Sequence, residues 1–206
     1  SSFAKYEVKG RDARRLLERV CANRLSRRDG DIVLSQMLTT LGGIECEATI
    51  TRLAEDRYYL LSGAVAELHD LDWLVQHALA GEDVAVTNVT DDYGVLLVTG
   101  PKARDVLAGL TKVDLTNDGG FTWMCAREID VAGIGVRALR VSYVGELGWE
   151  LHCSMDELRS LYDALIASGE SYSIRHFGTY ALNSLRMEKG YKAWGTELTT
   201  EISLVE

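Results

Sequence analysis

The 206-residue sequence has little of several features that would each indicate a particular class of protein. It holds one proline, and none of its apolar runs approaches the roughly 20 residues of a membrane span, so we expect neither a proline-rich linker nor a membrane segment. Its start, SSFAKYEVKG, is unlike a signal peptide. No two of its four cysteines are spaced Cys-x-x-Cys, and its four histidines stand in separate contexts, which argues against a metal site.

Basic residues are also scarce, with 22 Lys and Arg against 31 Asp and Glu and a formal net charge of −9. This balance argues against nucleic-acid binding, which requires a basic face. The hydrophobic share of 47% and the charged share of 26% are typical of a globular protein. Without a disulfide framework, the cysteines indicate a reducing compartment, which predicts the cytoplasm, or the mitochondrial matrix if the source is eukaryotic.

The chain repeats itself when it is shifted by about ninety positions, which predicts two pseudo-repeats over about 4–80 and 94–170. The matches are Gly10 with Gly100, Ala13 with Ala103, Arg14 with Arg104, Leu17 with Leu107, Gly43-Ile44 with Gly133-Ile134, and Glu67-Leu68 with Glu157-Leu158. The predicted register continues from the first match to the last without a gap. A C-terminal helix and loop follow the second repeat, and no linker composition separates the halves.

Each repeat has the pattern of a strand, a helix, three strands and a second helix. Apolar residues in 13–20 recur with helical spacing, and Ile44, Cys46, Ala48 and Ile50 alternate as in a half-buried strand. Consecutive strands joined by short turns are antiparallel, so the pattern predicts an α+β fold with mainly antiparallel sheets and flanking helices. The predicted strands are 6–8, 32–38, 48–53, 58–62, 83–89, 95–99, 121–129, 136–143 and 149–153, and the later helices are 66–79, 155–167 and 179–189.

Three segments contain residues that could carry chemistry. In 38–53, Glu45 and Glu47 share the strand face opposite the apolar one, where they are either solvated or point into a pocket as proton-transfer groups. In 140–153, a hairpin would place Tyr143 and Glu150 on adjacent strands, where they could hold a flat heterocycle, although an ordinary hairpin also fits. In 181–198, an aromatic and basic loop that includes Trp194 follows the last helix and could contact an anion.

At these segments the chain resembles the folate-binding module of the glycine cleavage T-protein (aminomethyltransferase) family. The version fused to FAD-dependent dimethylglycine and sarcosine dehydrogenases or oxidases is the more similar one. The resemblance is carried by LSQMLTTLGGIECEATITRLAEDRYYLLSGAVAELHDLDWL, GPKARDVLAGLT, ALRVSYVGELGWELH and SLRMEKGYKAWGTELT. It implies two intertwined, internally duplicated halves around a tetrahydrofolate channel. It also implies that residues 1–206 are a fragment of a larger enzyme, without the C-terminal barrel lobe and without the FAD domain.

The resemblance implies roles for five residues. Glu47 stands where the family usually has a catalytic aspartate near the folate amines. Tyr143 and Glu150 match the tyrosine and glutamate that hold the pterin ring, and Met37 and Trp194 fall at further folate-binding positions. The extra methylene of Glu47 lengthens its reach by about 1.5 Å, which is large where ~1 Å of misplacement costs ~100-fold in rate.

The implied function is capture, on tetrahydrofolate, of the one-carbon unit released by oxidative demethylation of dimethylglycine or sarcosine, or by glycine cleavage. The implied partners are the folate, the amine-derived one-carbon unit, an FAD oxidoreductase domain and the barrel lobe. Two alternatives remain at this point. One is a non-catalytic folate-binding protein of the iron–sulfur-maturation type, although the loop KGYKAWG lacks the cysteine of that group. The other is a stand-alone methyl or aminomethyl transferase.

Overall fold

A computed structural model describes residues 2–205. The chain forms two compact units. The first unit comprises the residues up to Thr90 and the segment that begins at Ala193, and the second unit is Asp91–Lys192. The chain therefore leaves the first unit, builds the second and returns to the first.

The first unit is a five-stranded antiparallel sheet with two α-helices. Its elements are β1 (Phe3–Lys9), α1 (Ala13–Val20), β2 (Ile32–Leu38), β3 (Ile44–Ala54), β4 (Arg57–Gly63), α2 (Glu67–Gln76) and β5 (Ala85–Asn88). The strand order is β2-β3-β4-β1-β5, and each neighbouring pair is antiparallel. The apolar face of α1 packs with the buried residues of these strands into one core, as the helical spacing predicts.

The second unit has its own four-stranded antiparallel sheet and its own core. Its elements are β6 (Tyr93–Thr99), α3 (Ala103–Ala108), β7 (Ala126–Val131), β8 (Ile134–Leu139), β9 (Gly148–Ser154), α4 (Leu158–Gly169) and α5 (Thr179–Glu188). The strand order is β6-β9-β8-β7. Trp149 and Leu151 of β9 lie in the core of this unit with the buried residues of α3 and α4. The predicted α+β class with antiparallel sheets is confirmed.

The two sheets share one topology. The first unit reads β1-β4-β3-β2 from its first strand outward, and the second reads β6-β9-β8-β7, the same order. Gly10 and Gly100 both follow the first strand with φ of 132° and 118°, values that a side chain disfavours, and each carbonyl accepts from the alanine that begins the next helix. This shared construction supports the duplication inferred from the sequence.

The strand pairing in the two units departs by one residue from the gap-free repeat that the sequence predicts. Phe3 pairs with Gly63, whereas Tyr93 pairs with Ser154, so the first strands are ninety positions apart and the last strands ninety-one. Several strand boundaries also differ, most of all those of β3, β7 and β8, and β3 begins at Ile44, four residues before its predicted start. The predicted strand 136–143 ends at Leu139, and the predicted strand 121–129 begins only at Ala126. The last helix ends within one residue of its predicted end, before Gly190 with φ of 70°.

Candidate functional site

Glu47 lies on β3 with the partly exposed side chains, while its neighbours Cys46 and Ala48 are buried. Its partner across the ladder is Gln36 of β2, whose side-chain amide donates to the carboxylate. Burial raises the pKa of the Glu47 carboxyl above its ordinary value, and the bond from Gln36 offsets part of that rise. A carboxyl group with a raised pKa is suited to taking up and returning a proton.

Met37 lies on β2 beside Gln36 and opposite Cys46. Its side chain is 2% exposed and belongs to the core of the first unit. In this position Met37 supports the strands that carry Glu47. A direct contact between Met37 and a ligand stays a prediction.

A β-bulge lies at Glu45, at the start of β3. Met37 pairs with Cys46 and Leu38 pairs with Ile44, so Glu45 is the extra residue of β3. A bulge interrupts the ladder locally and redirects a side chain. The main-chain carbonyl of Glu45 accepts a hydrogen bond of 3.0 Å from the indole Nε1–H of Trp194. Sequence reasoning predicted Trp194 as a binding residue but did not predict this anchor, which joins residues 149 positions apart.

Trp194 lines a cavity of about 220 Å³ in the first unit. The other lining residues are Ile44, Glu45, His69, Gly195, Leu198, Thr199 and Thr200. The backbone of the returning segment forms one wall, because the Ile44 N–H donates to the carbonyls of Thr199 and Ile202. The cavity thus combines an aromatic ring, a carboxylate, an imidazole and two hydroxyl groups.

His69 is the cavity residue that sequence reasoning missed. It lies on α2, and its ring contacts carboxylates on both sides: Nδ1 is 2.9 Å from Asp70 Oδ1 and Nε2 is 2.8 Å from Glu45 Oε1. The sequence shows that Asp70 is next to His69. It does not show the contact between His69 and Glu45, because that contact depends on tertiary folding. Among residues 2–205, no group of three or more His, Cys, Asp or Glu side chains could hold a metal ion.

Tyr143 lies in a turn after β8, in the second unit. Its hydroxyl donates to the carbonyl of Lys192 over 2.9 Å. Its ring stacks on that of Tyr191, with centroids 6.4 Å apart and planes 19° from parallel. The phenol therefore fastens this turn to the loop that follows α5.

Glu150 lies on β9 and is 6% exposed. Its Oε2 is 3.5 Å from Nε2 of His152, which is itself 1% exposed. The prediction that Tyr143 faces Glu150 across a hairpin is wrong, because β8 ends at Leu139 and it is Leu139 that pairs with Glu150. Tyr143 is four residues beyond the end of that strand. Glu47, Met37 and Trp194 belong to the first unit, and Tyr143 and Glu150 belong to the second.

The GCVT N-terminal domain family matches residues 1–206. The chain belongs to this family. Human mitochondrial dimethylglycine dehydrogenase is 41% identical over 207 residues, which cover 100% of this chain and 24% of that protein. The aminomethyltransferase of Anoxybacillus flavithermus is 31% identical over 207 residues, which cover 100% of this chain and 56% of that enzyme.

The fold of this GCVT N-terminal domain also occurs in a solved enzyme. The crystal structure of glycine cleavage system aminomethyltransferase T from Bartonella henselae superposes with a TM-score of 0.82 at 26% identity, over 98% of this chain and 53% of that one. The chain thus spans about a quarter of the dimethylglycine dehydrogenases and about half of the aminomethyltransferases. No helix within residues 2–205 is both long and apolar enough to cross a membrane.

Proposed function

We propose that this chain is the tetrahydrofolate-binding, one-carbon-transfer module of an enzyme that demethylates an N-methylated glycine. The substrate class would be dimethylglycine or sarcosine, with the aminomethyl group of glycine cleavage as the other source of the one-carbon unit. The observation that carries the proposal is the match over the whole chain to both groups of relatives, the dehydrogenases and the aminomethyltransferases. No observation favours the non-catalytic alternative.

Glu47 is proposed to accept the proton that a folate amine loses when it takes up the one-carbon unit. Two observations support this role: the carboxyl is partly shielded, and burial raises its pKa. Its hydrogen-bond partner Gln36 is neutral, so no cation in that pair fixes the carboxylate in its charged form. A carboxyl group with a raised pKa gains a proton more readily than an ordinary carboxyl does, and such groups assist proton transfer.

Glu150 and Tyr143 are proposed to hold the pterin ring. A carboxylate accepts hydrogen bonds from ring N–H groups, and charge-assisted bonds of this kind are about twice as strong as neutral ones. The burial of Glu150 fits this chemistry, because a shielded carboxylate gains more from a donor than a solvated one does. Folate would supply the nucleophilic nitrogen and carry the one-carbon unit, and Trp194 and Met37 are proposed as further folate-binding residues.

We also propose that the relevant partners are an FAD-containing oxidoreductase domain and the C-terminal barrel lobe. The support is that the matched dehydrogenases are about four times as long as the matched segment. The mitochondrial matrix is the proposed compartment for a eukaryotic source, because the similar dehydrogenases are named as mitochondrial. None of the four cysteines forms a disulfide, which fits a reducing compartment.

Calorimetric titration of the chain with 5-formyltetrahydrofolate tests the binding. We expect saturable binding that weakens by about 10-fold or more in Glu150→Gln, because hydrogen bonds to charged groups contribute about 1.5–3 kcal/mol. Glu146→Gln is the matched control, since Glu146 is an exposed carboxylate in the preceding turn. Absence of binding by the unmodified chain, or equal affinity in both variants, would contradict the proposal.

The role of Glu47 is tested separately by one-carbon capture in the complete enzyme. Glu47→Gln should reduce the rate of methylene transfer to folate by about 100-fold or more, with folate affinity nearly unchanged. An unchanged yield of the folate product would remove Glu47 from the mechanism while leaving the binding role of the module intact.

A further inference from the structure

His69 links helix α2 to the start of strand β3 in the first unit. It lies on α2 beside the buried Asp70, and its other ring nitrogen reaches Glu45 at the start of β3. The side chain of Asp70 is 5% exposed and that of Glu45 is 17% exposed, so both carboxylates are largely shielded. The imidazole therefore fastens the helix to the strand through two short polar contacts.

Both ring nitrogens of His69 lie within hydrogen-bond distance of a carboxylate oxygen. A neutral imidazole has one N–H, so it can donate to only one of the two carboxylates. The imidazolium form carries an N–H on each nitrogen and satisfies both carboxylates. The bond to Asp70, followed by that to Glu45, raises the pKa of His69 above its ordinary value, against the effect of burial.

The contact continues from Glu45 to Trp194. Because Glu45 is the bulged residue of β3, its carbonyl accepts from the indole while its carboxylate accepts from His69. The rings of His69 and Trp194 have centroids 6.1 Å apart and both line the cavity. A change at His69 can therefore reach Trp194 through a single residue, Glu45.

We propose that His69 is a positioning residue whose doubly hydrogen-bonded ring holds Glu45 in the bulge and thereby fixes Trp194 for folate binding. This inference rests on the proposed function in one respect, the role of Trp194 in binding. The charged groups that act on His69 are Glu45 from β3 and Asp70 from α2. Trp194, Thr199 and Thr200, which face the same cavity from the returning segment, carry no charge.

The proposed coupling between His69 and Trp194 depends on pH. The pKa of His69 is raised in the folded state. The two charged contacts of His69 are therefore complete below the ordinary pKa of histidine, ~6.5, and are lost as the pH rises through the higher folded-state pKa. Trp194 should therefore be held more firmly below pH ~6.5 than above the His69 midpoint. Loss of one N–H at His69 leaves one of the two contacts without a donor, which weakens the link between α2 and the bulge.

NMR titration of the chain tests this coupling without any ligand. The Trp194 indole N–H resonance, assigned with Trp194→Phe, should shift with the same midpoint as the His69 ring carbons, above pH 6.5. In Glu45→Gln both midpoints should move to lower pH by the same amount. The substitution removes one carboxylate that stabilises the charged form of His69, while the main-chain carbonyl that binds Trp194 remains. If the chemical shift of the Trp194 indole N–H does not change over the His69 titration, the proposal is overturned.

Folate titrations complete the test. In His69→Gln, the dissociation constant for 5-formyltetrahydrofolate at pH 6.5 should rise about fivefold or more, the lower range of a typical coupling between sites. The matched control is His77→Gln, since His77 follows α2 but contacts the carbonyl of Trp73 instead of a carboxylate. The unmodified chain should approach the affinity of His69→Gln as the pH rises above the His69 midpoint.

The outcomes separate the two proposals. If the unmodified chain binds no folate at any pH, the proposed function fails, and the NMR titration alone decides the positioning role. If the chain binds folate and His69→Gln binds equally well over the whole pH range, the positioning role fails and the proposed function stands.

Discussion

Gly43 is a sharp test of how the returning segment is attached to the first sheet. A Cβ atom at position 43 would lie 1.9 Å from the carbonyl oxygen of Thr200, whereas real Cβ contacts are essentially never shorter than 3.0 Å. In Gly43→Ala the segment must therefore retreat by at least about 1.1 Å. The same segment receives the bonds from the Ile44 N–H and forms the wall of the Trp194 cavity.

The magnitude follows from the kind of clash. The opposing atom is backbone, so no side-chain rotation relieves the contact, and overpacking of this kind costs about 1–3 kcal/mol. A chain of this size loses about 2–4 °C in melting temperature for each kcal/mol, so Gly43→Ala should melt about 2–12 °C lower. If the segment detaches instead of shifting, the amides of 199–203 should also lose protection from hydrogen exchange.

Thermal unfolding followed by circular dichroism, with hydrogen exchange of 199–203, measures both effects. Gly63→Ala is the matched control, because a Cβ on Gly63, at the end of β4, meets nothing within 4 Å. We expect the control to stay within about 0.5 kcal/mol of the unmodified chain. If Gly43→Ala melts and exchanges like the control, the packing of this segment against Gly43 is refuted.

Two further predictions concern stability. Leu151→Ala removes a fully buried side chain from the core of the second unit and should cost about 2–5 kcal/mol in urea unfolding, and a loss below about 1 kcal/mol would contradict the packing. Glu82 accepts hydrogen bonds from the Arg19 guanidinium, which lowers the pKa of that carboxyl to about 2. Its stabilising effect should be present above pH ~4.5 and disappear as the pH falls toward 2, so the difference in melting temperature between Arg19→Met and the unmodified chain should shrink over that range.

Much of the fold can be predicted from local patterns in the sequence. The alternation from Ile44 to Ile50 predicted a half-buried strand, and burial follows it residue by residue. Gly10 and Gly100 marked the strand ends because both positions need a backbone that side chains disfavour. The pattern could not fix the end of β8, where Val141 and Tyr143 continue the alternation of a strand although the chain has already turned.

The candidate site was less predictable, because its contacts join distant residues. The strand pattern identified Glu47 as a partly exposed carboxylate, but the pattern alone could not indicate that Gln36 donates to it. The contact between His69 and Glu45 spans 24 positions, and that between Trp194 and Glu45 spans 149. Such pairs are set by which strands become neighbours and by a one-residue bulge, neither of which has a local sequence signal.

The return of the chain at Ala193 has a consequence for biosynthesis. Gly43 forms a bridge with Ser203, so the first unit is completed only after the second unit has been made. At about 5–20 residues per second, a ribosome needs roughly 8–32 s to make the 160 residues from 44 to 203. During that interval the start of β3 would lack the contacts that the segment around Ser203 later supplies.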